Sequence, residues 1–303
     1  WYAGNTTGRL SRTVPKLSSI LHTLFLETGS DMVDKYAVFG NPIAQSRSPQ
    51  IHTAFAADTD QDLTYNKQLV DIDGFDAAAD EFFSSGGKGL NITAPFKQDA
   101  YSYAARLTPR ARHAGAVNTL SLQDDGTVLG DTTDGVGMVS DMLQNLGWQI
   151  RAKRVLVLGA GGAVRGILEP LMAQQPQHVV IANRTLEKAL QLSKGFAEQG
   201  YILACGFDML PGQEFDLVIN GTSAGLTGSL PPLPDDLLAA DGACYDMLYA
   251  AQPTPFMQWG KRQGAKTADG LGMLVEQAAE SFYIWRQVRP ETAGVIQSQR
   301  ELF

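Results

Sequence analysis

Apolar positions along this chain alternate between two periods. Residues 36–39 form a short apolar run closed by Gly40-Asn41-Pro42. Residues 49–58 then open on Pro49 and keep Ile51, Ala54 and Phe55 on one helical face. Residues 63–70 read as strand, 73–85 carry the helical period through Phe75, Ala79, Phe82 and Phe83, and 89–92 are again short and apolar. Helices are predicted near 96–105 and 108–114, and a hairpin over 117–122 and 127–129, joined by Asp124-Asp125-Gly126. After a helix over 135–146, strands over 154–158, 178–182 and 215–219 are separated by helical stretches, one of them over 185–196. A last long helix runs from Asp269-Gly270-Leu271-Gly272 to about residue 289. This alternation predicts an α/β fold with parallel strands, right-handed crossovers and helices on both sheet faces.

A chain of 303 residues suggests two domains. The glycine-rich turn after residue 158 opens the second strand–helix run, which places a nucleotide domain there. The expected division is a substrate domain of residues 35–133 plus 271–303, a Rossmann-type domain of 134–270, and a cleft between them. Residues 1–34 read as an extension outside the fold. They are rich in Ser and Thr, carry Arg9, Arg12 and Lys16, and have no acid before Glu27. The composition is faintly that of an organellar transit segment, although an extension ahead of a start at Met32 is the stronger reading.

The formal net charge of −8 argues against a general nucleic-acid binder, because phosphate neutralisation needs a basic face. No apolar run approaches the ~18 residues of a membrane span. Cys205 and Cys244 have no metal-like spacing and suggest no disulfide framework, which fits a reducing cytoplasm. The four histidines, His22, His52, His113 and His178, never fall at helical ligand spacing, so no metal site is expected.

The segment RVLVLGAGGAVRG is strand, tight turn and helix. Gly159, Ala160, Gly161, Gly162 and Ala163 let the backbone approach a pyrophosphate while the new helix offers free N–H groups to it. Val164 stands at the third fingerprint position, which weakens the motif taken alone. The next strand ends in Asn183-Arg184-Thr185, with Lys188 one turn on, where an NAD site usually has an acid. A guanidinium and a hydroxyl suit a 2′-phosphate, so the expected cofactor is NADP. Thr222, in the loop after the strand DLVIN, is expected to face the cofactor; a plain turn has nearly equal claim.

Polar residues also gather at the ends of apolar elements in the first half: Ser46 and Ser48 around Arg47, Asn91, Thr93 and Lys97 in LNITAPFK, Asn118 in GAVNT, and Asp134 in GDTTDG. Each alone reads as a cap or turn residue; together they suit a small polyhydroxylated acid. In order, NPIAQSRSPQIH, NITAPFK, AGAVNT, GDTTDG, GAGGAVRG, NRT, YDMLY and DGLGMLVEQAA resemble the shikimate dehydrogenase family from about residue 36 onward.

That resemblance implies an NADPH-dependent oxidoreductase of aromatic amino acid (chorismate) biosynthesis, reversibly reducing 3-dehydroshikimate to shikimate. Lys97 and Asp134 match its catalytic pair, and Ser46 and Ser48 the serines that hold the substrate carboxylate. Asn91, Thr93, Asn118 and Gln277 match residues on the carboxylate or ring hydroxyls, and Tyr245 a tyrosine near the substrate. Asn183, Arg184 and Thr185 match the adenosine phosphate clasp, with Lys188 where an arginine is common, and Gly270 is grouped with the cofactor residues. Ala94 replaces the usual Val, Thr132 the usual Asn, and Val164 a small residue.

Two other readings compete. A quinate/shikimate dehydrogenase using NAD would fit an extra hydroxyl beside the carboxylate and would bring an acid after the second strand. A non-catalytic sensor would have lost the lysine or the aspartate, and both remain. A folate dehydrogenase, a third possibility, leaves Ser46, Ser48 and Gln277 together unexplained. The oligomeric state is left open, a homodimer being allowed.

Overall fold

A computed structural model describes residues 33–303, so the extension expected over 1–34 lies almost wholly outside the described residues. Asp34, counted with that extension, is instead the first residue of strand β1 and is ion-paired with Arg286.

The first sheet is built from β1 (Asp34–Gly40), β2 (Leu63–Leu69), β3 (Gly87–Ile92), β4 (Arg106–Leu107), β5 (Thr119–Leu122) and β6 (Val128–Asp131), in the order β2-β1-β3-β5-β6-β4. β1 runs parallel to β2 and β3, but β5 is antiparallel to both β3 and β6. The predicted hairpin forms as β5–β6, and the pairing of β5 with β3 makes this sheet mixed. The β5–β6 link is a tight turn, closed by Gln123 N donating to Thr127 O at 2.9 Å, and no crossover fits in so short a connection.

Side chains of β1 alternate between two cores. Ala37 and Phe39 meet Phe75, Ala79 and Phe96 from α2 (Phe75–Ser84) and the start of α3 (Lys97–Tyr103). Tyr36 and Val38 face the other way, where Trp285 stacks on Tyr36 at 4.7 Å between ring centroids. α4 (Pro109–Ala114) adds Ala111 to the first core.

The second sheet contains β7 (Arg154–Leu158), β8 (His178–Ala182), β9 (Ile202–Cys205), β10 (Phe215–Asn220), β11 (Leu238–Asp246) and β12 (Lys266–Ala268). Its order is β12-β11-β10-β7-β8-β9 and every pairing is parallel. Val155 and Val157 of β7 pack with Ile167 and Leu171 of α6 (Gly162–Ala173), and with Ala189 and Leu192 of α7 (Leu186–Gly195). Leu156 and Leu158 face Phe256 and Trp259 of α8 (Pro255–Arg262). The strand order reverses at β7, the switch point at which open parallel sheets hold their ligands.

Two long-range helices join the halves. α9 (Leu271–Arg286) returns to the first sheet and packs Val275 and Phe282 against Ile51 and Phe55 of α1 (Ser48–Asp58), with Val295 of α10 (Ala293–Glu301) beside them. α5 (Asp134–Ser140) continues into a wider turn over Asp141–Asn145, where Leu146 N bonds Asp141 O at 3.0 Å. It runs between α6 and α9 at glycine distance: a Cβ on Gly135 would stand 2.6 Å from Gly166 O, and one on Gly137 2.6 Å from Gln277 N. Gly137→Ala is therefore expected to wedge α5 from α9 at a cost of about 1–3 kcal/mol, read as a lowered Tm. An unchanged Tm would show that the helices separate freely.

Candidate active site

The carboxyl ends of the two sheets each face a cavity. The smaller, of about 250 Å³, is lined by Ser46, Ser48, Asn91, Thr93, Lys97, Asn118, Asp134 and Gln277, which brings eight of the expected residues together. Their placement follows from local packing. Phe96 is fully buried against Phe75, its ring centroid 5.6 Å away, and this fixes the loop from which Lys97 starts α3. Val117 N donates to Lys97 O at 2.9 Å, tying that start to the lead-in of β5. Asp134 is the first residue of α5, where a carboxylate is favoured by the helix dipole.

Lys97 Nζ donates to Asp134 Oδ2 at 2.5 Å, with the two side chains 34% and 17% exposed, so the pair sits on a rim that a ligand can reach. Asn118 Nδ2 donates to Asp134 Oδ1 at 2.8 Å and to Gln277 Oε1 at 3.2 Å, so one amide ties the carboxylate and Gln277 to the same point. Asn91 is more constrained than its place on the wall suggests. Its Oδ1 accepts from Tyr65 Oη at 2.7 Å, and its Nδ2 donates to Asn118 O and Thr119 Oγ1, both at 3.2 Å. Burial pushes the Tyr65 hydroxyl well above its ordinary value, so it remains a donor. His52 stacks on Tyr65 at 4.1 Å and is pushed down to about 3 by burial, which keeps it neutral.

Two expected residues lie elsewhere. Tyr245 does not line the cavity: it is 0% exposed inside β11, where its hydroxyl donates to Asp141 Oδ2 at 2.7 Å. Burial raises both groups, so Tyr245 stays protonated within the second core. Tyr249, beyond the end of β11, lines the cavity instead. Gly270 lines this smaller cavity rather than the larger one. A Cβ there would fall 2.3 Å from Met247 O, so glycine at 270 permits a close backbone approach.

The larger cavity, of about 680 Å³, is lined by Gly159, Ala160, Gly161, Gly162 and Ala163, by Asn183, Arg184, Thr185 and Lys188, and by Thr222. Gly159 has φ +105°, a conformation that needs glycine. Cβ atoms on Gly161 and Gly162 would meet nothing within 4 Å, so open space lies over the turn at the N-terminus of α6, the end of a helix that offers free N–H groups to an anion. Asn183 Nδ2 donates to Thr185 O at 2.8 Å and so shapes the turn after β8. Arg184 and Lys188 are exposed, and neither is ion-paired with any described residue. Two free cations beside a helix start fit the 2′-phosphate of NADP.

Several wall residues were not read from the sequence. Arg47 lines the smaller cavity and is fixed by donating to Gln299 O at 2.7 Å and by lying 4.0 Å over the Phe303 ring. Met247 and Met273 add apolar wall there, while Phe207, Leu230 and Pro231 line the larger cavity. Recognising β11 as a strand would have found Met247 and Tyr249, because residues just past a strand's carboxyl end face the cleft. No group of three metal-ligating side chains, and no helix long and apolar enough to cross a membrane, occurs among the described residues.

Family models match three segments: the shikimate dehydrogenase substrate binding domain over residues 38–120, shikimate / quinate 5-dehydrogenase over 141–227, and the shikimate 5′-dehydrogenase C-terminal domain over 270–298. A shikimate dehydrogenase (NADP(+)) of Cellvibrio japonicus is 62% identical over 270 residues, 89% of this chain and 98% of that protein. An Ael1 enzyme from Pseudomonas putida has TM-score 0.84 at 45% identity, covering 88% of this chain and 97% of that one. Shikimate 5-dehydrogenase from Thermus thermophilus, solved in complex with NADP(H) and shikimate, has TM-score 0.79 at 30% identity, covering 89% and 100%. With both cavities built from the expected motifs and similarity running through both sheets and α9, the chain belongs to the shikimate dehydrogenase family.

Proposed function

We propose that this chain interconverts 3-dehydroshikimate and shikimate with NADP(H), Lys97 acting as general acid–base and Asp134 as its partner. The observation that carries this reading is the 2.5 Å Lys97–Asp134 pair on the wall of a polar cavity that also presents Ser46, Ser48 and Gln277. Reduction of a ketone builds negative charge on its oxygen, and a donor placed there lowers the barrier, typically 10²–10⁴-fold. Lys97 Nζ gives a proton to that oxygen and in reverse takes it from the alcohol. Asp134 holds the ammonium through one oxygen and Asn118 through the other, leaving the carboxylate edge for a neighbouring ring hydroxyl. Ser46 and Ser48 hold the substrate carboxylate, with Arg47 supplying charge between them. Thr93, Asn118 and Gln277 face the ring, and Asn91, its amide hydrogens already bonded, offers its Oδ1 as acceptor to a ring hydroxyl. Tyr249 takes the role expected of Tyr245.

Gly159 to Ala163 cradle the cofactor pyrophosphate, and Thr222 faces the bound cofactor. Arg184 and Lys188, with Thr185 beside them, hold the 2′-phosphate. When bound, the reduced cofactor supplies the hydride. The proposed division is 35–133 with 271–303 for substrate and 134–270 for cofactor, with the α5–α9 crossing as their joint. The buried thiols of Cys205 and Cys244 are consistent with the cytoplasm as the compartment, and a homodimer is compatible with this reading.

Absorbance of reduced nicotinamide, followed with shikimate or quinate and with NADP or NAD, tests the proposal. Fast reduction with shikimate and NADP alone is expected. Comparable rates with quinate or NAD would move the chain to the broader quinate/shikimate activity. Silence in all four mixtures with shikimate still bound would make it a sensor.

A further inference from the structure

We propose that Arg110 is a positioning residue for the Lys97–Asp134 pair, acting through Asp131; this rests on reading that pair as the proton-transfer machinery. Asp131 ends β6, is 6% exposed, and precedes Asp134 by one short turn. Its carboxylate accepts two bonds from the Arg110 guanidinium, Nε to Oδ1 and Nη2 to Oδ2, each 2.7 Å. Thr108 Oγ1 donates to Oδ1 at 2.6 Å, and the backbone N of Thr132 donates to the same oxygen at 2.7 Å. Four donors thus converge on one carboxylate, and one of them belongs to the turn that delivers Asp134.

The frame continues without a gap into the site. Asn118 N donates to Asp131 O at 3.0 Å, Thr133 N donates to Asn118 Oδ1 at 2.9 Å, and Asn118 Nδ2 reaches Asp134 at 2.8 Å. The same guanidinium extends to α9, where Nη2 donates to Glu280 Oε1 at 3.1 Å, one turn beyond Gln277. Arg289 donates to the other oxygen of Glu280 at 2.5 Å, which orients that carboxylate toward Arg110. Arg110 therefore fastens the turn carrying Asp134 and the helix carrying Gln277 to a single planar group.

Planarity is what distinguishes arginine here. A lysine at 110 keeps the charge but offers a point donor, so it holds Asp131 without fixing its direction. Misplacing a catalytic group by about 1 Å can cost on the order of a hundredfold in rate, so a looser anchor reads out as turnover.

Arg110→Lys, Asp134→Asn and the double variant, assayed for kcat, both KM values and Tm with shikimate and NADP, test the proposal. Arg110→Lys is expected to lower kcat about tenfold with the NADP KM unchanged. In the Asp134→Asn background the same change is expected to lower kcat by less than about twofold, because the two act in series. Asp131→Asn, which breaks the paired bonds from the other side, is expected to repeat the kcat loss. Equal losses in both backgrounds, a lowered Tm with kcat unchanged, or failure of both Arg110→Lys and Asp131→Asn to fold would overturn the positioning role. If Asp134→Asn turns over like the unaltered protein, the reading of the catalytic pair falls instead.

Discussion

Replacing Lys97 with alanine is expected to lower turnover at least a hundredfold while shikimate binding weakens only modestly. Loss of a positioned proton donor typically costs 10²–10⁴-fold, and no other ammonium lines the smaller cavity among the described residues. On the proposed reading, binding depends on groups the substitution leaves in place: Ser46, Arg47, Ser48 and Gln277, all on the cavity wall. Asp134 keeps its bond from Asn118, so its orientation survives the loss of the lysine. Lys97→Arg separates proton transfer from ion pairing. A guanidinium preserves the pair with Asp134 but does not release its proton at neutral pH, so turnover should fall as with alanine. Steady-state kinetics together with calorimetric shikimate binding read both quantities. Turnover within a few-fold of the unaltered protein would remove Lys97 from the chemistry.

The second large effect concerns cofactor choice. Arg184→Asp is expected to lower kcat/KM for NADP by roughly 10²–10³-fold and to leave that for NAD equal or higher. Hydrogen bonds to charged groups contribute about 1.5–3 kcal/mol, and every ~1.4 kcal/mol is tenfold. The new carboxylate adds repulsion toward a phosphate, whereas it can accept from the ribose hydroxyl that NAD presents in its place. Lys188→Ala should give the same sign with a smaller loss, since an ammonium binds phosphate as a point charge. Parallel titrations with the two cofactors read the ratio, and an unaltered ratio would place the 2′-phosphate away from Arg184.

Much of this molecule was legible from residue order, for identifiable reasons. β1 and β7 are buried on both faces and read as unbroken apolar runs, and the turn after β7 announces itself through Gly159. The 123–127 turn was equally plain, although nothing local shows that β5 would pair with β3 and make the sheet mixed. β4 and β12 were missed because two and three residues cannot display a period. β11 was hidden by its Asp241-Gly242 interior and half-exposed start, so nothing local showed that Tyr245 would lie buried inside it. In the site, the motif residues were found as sets, but the Tyr65–Asn91 bond and the Arg110–Asp131 pairing join segments 26 and 21 residues apart. Such partners are chosen by topology, which no local spacing encodes.

The return of α9 to the first sheet also bears on the order in which the protein assembles at the ribosome. Ile51, Phe55 and Tyr36 are synthesised early, yet the residues that cover them, Val275, Phe282 and Trp285, come near the end of the chain. The second sheet, from β7 to β12, is contiguous and has every crossover helix at hand as it emerges. The half made later is therefore the half that can close its core first, while the half made earlier keeps an apolar face open until α9 arrives. Long-range closure of this kind is slow and leaves surface exposed to aggregation in the interval. A nascent chain stalled before α9 is thus a natural client for a chaperone.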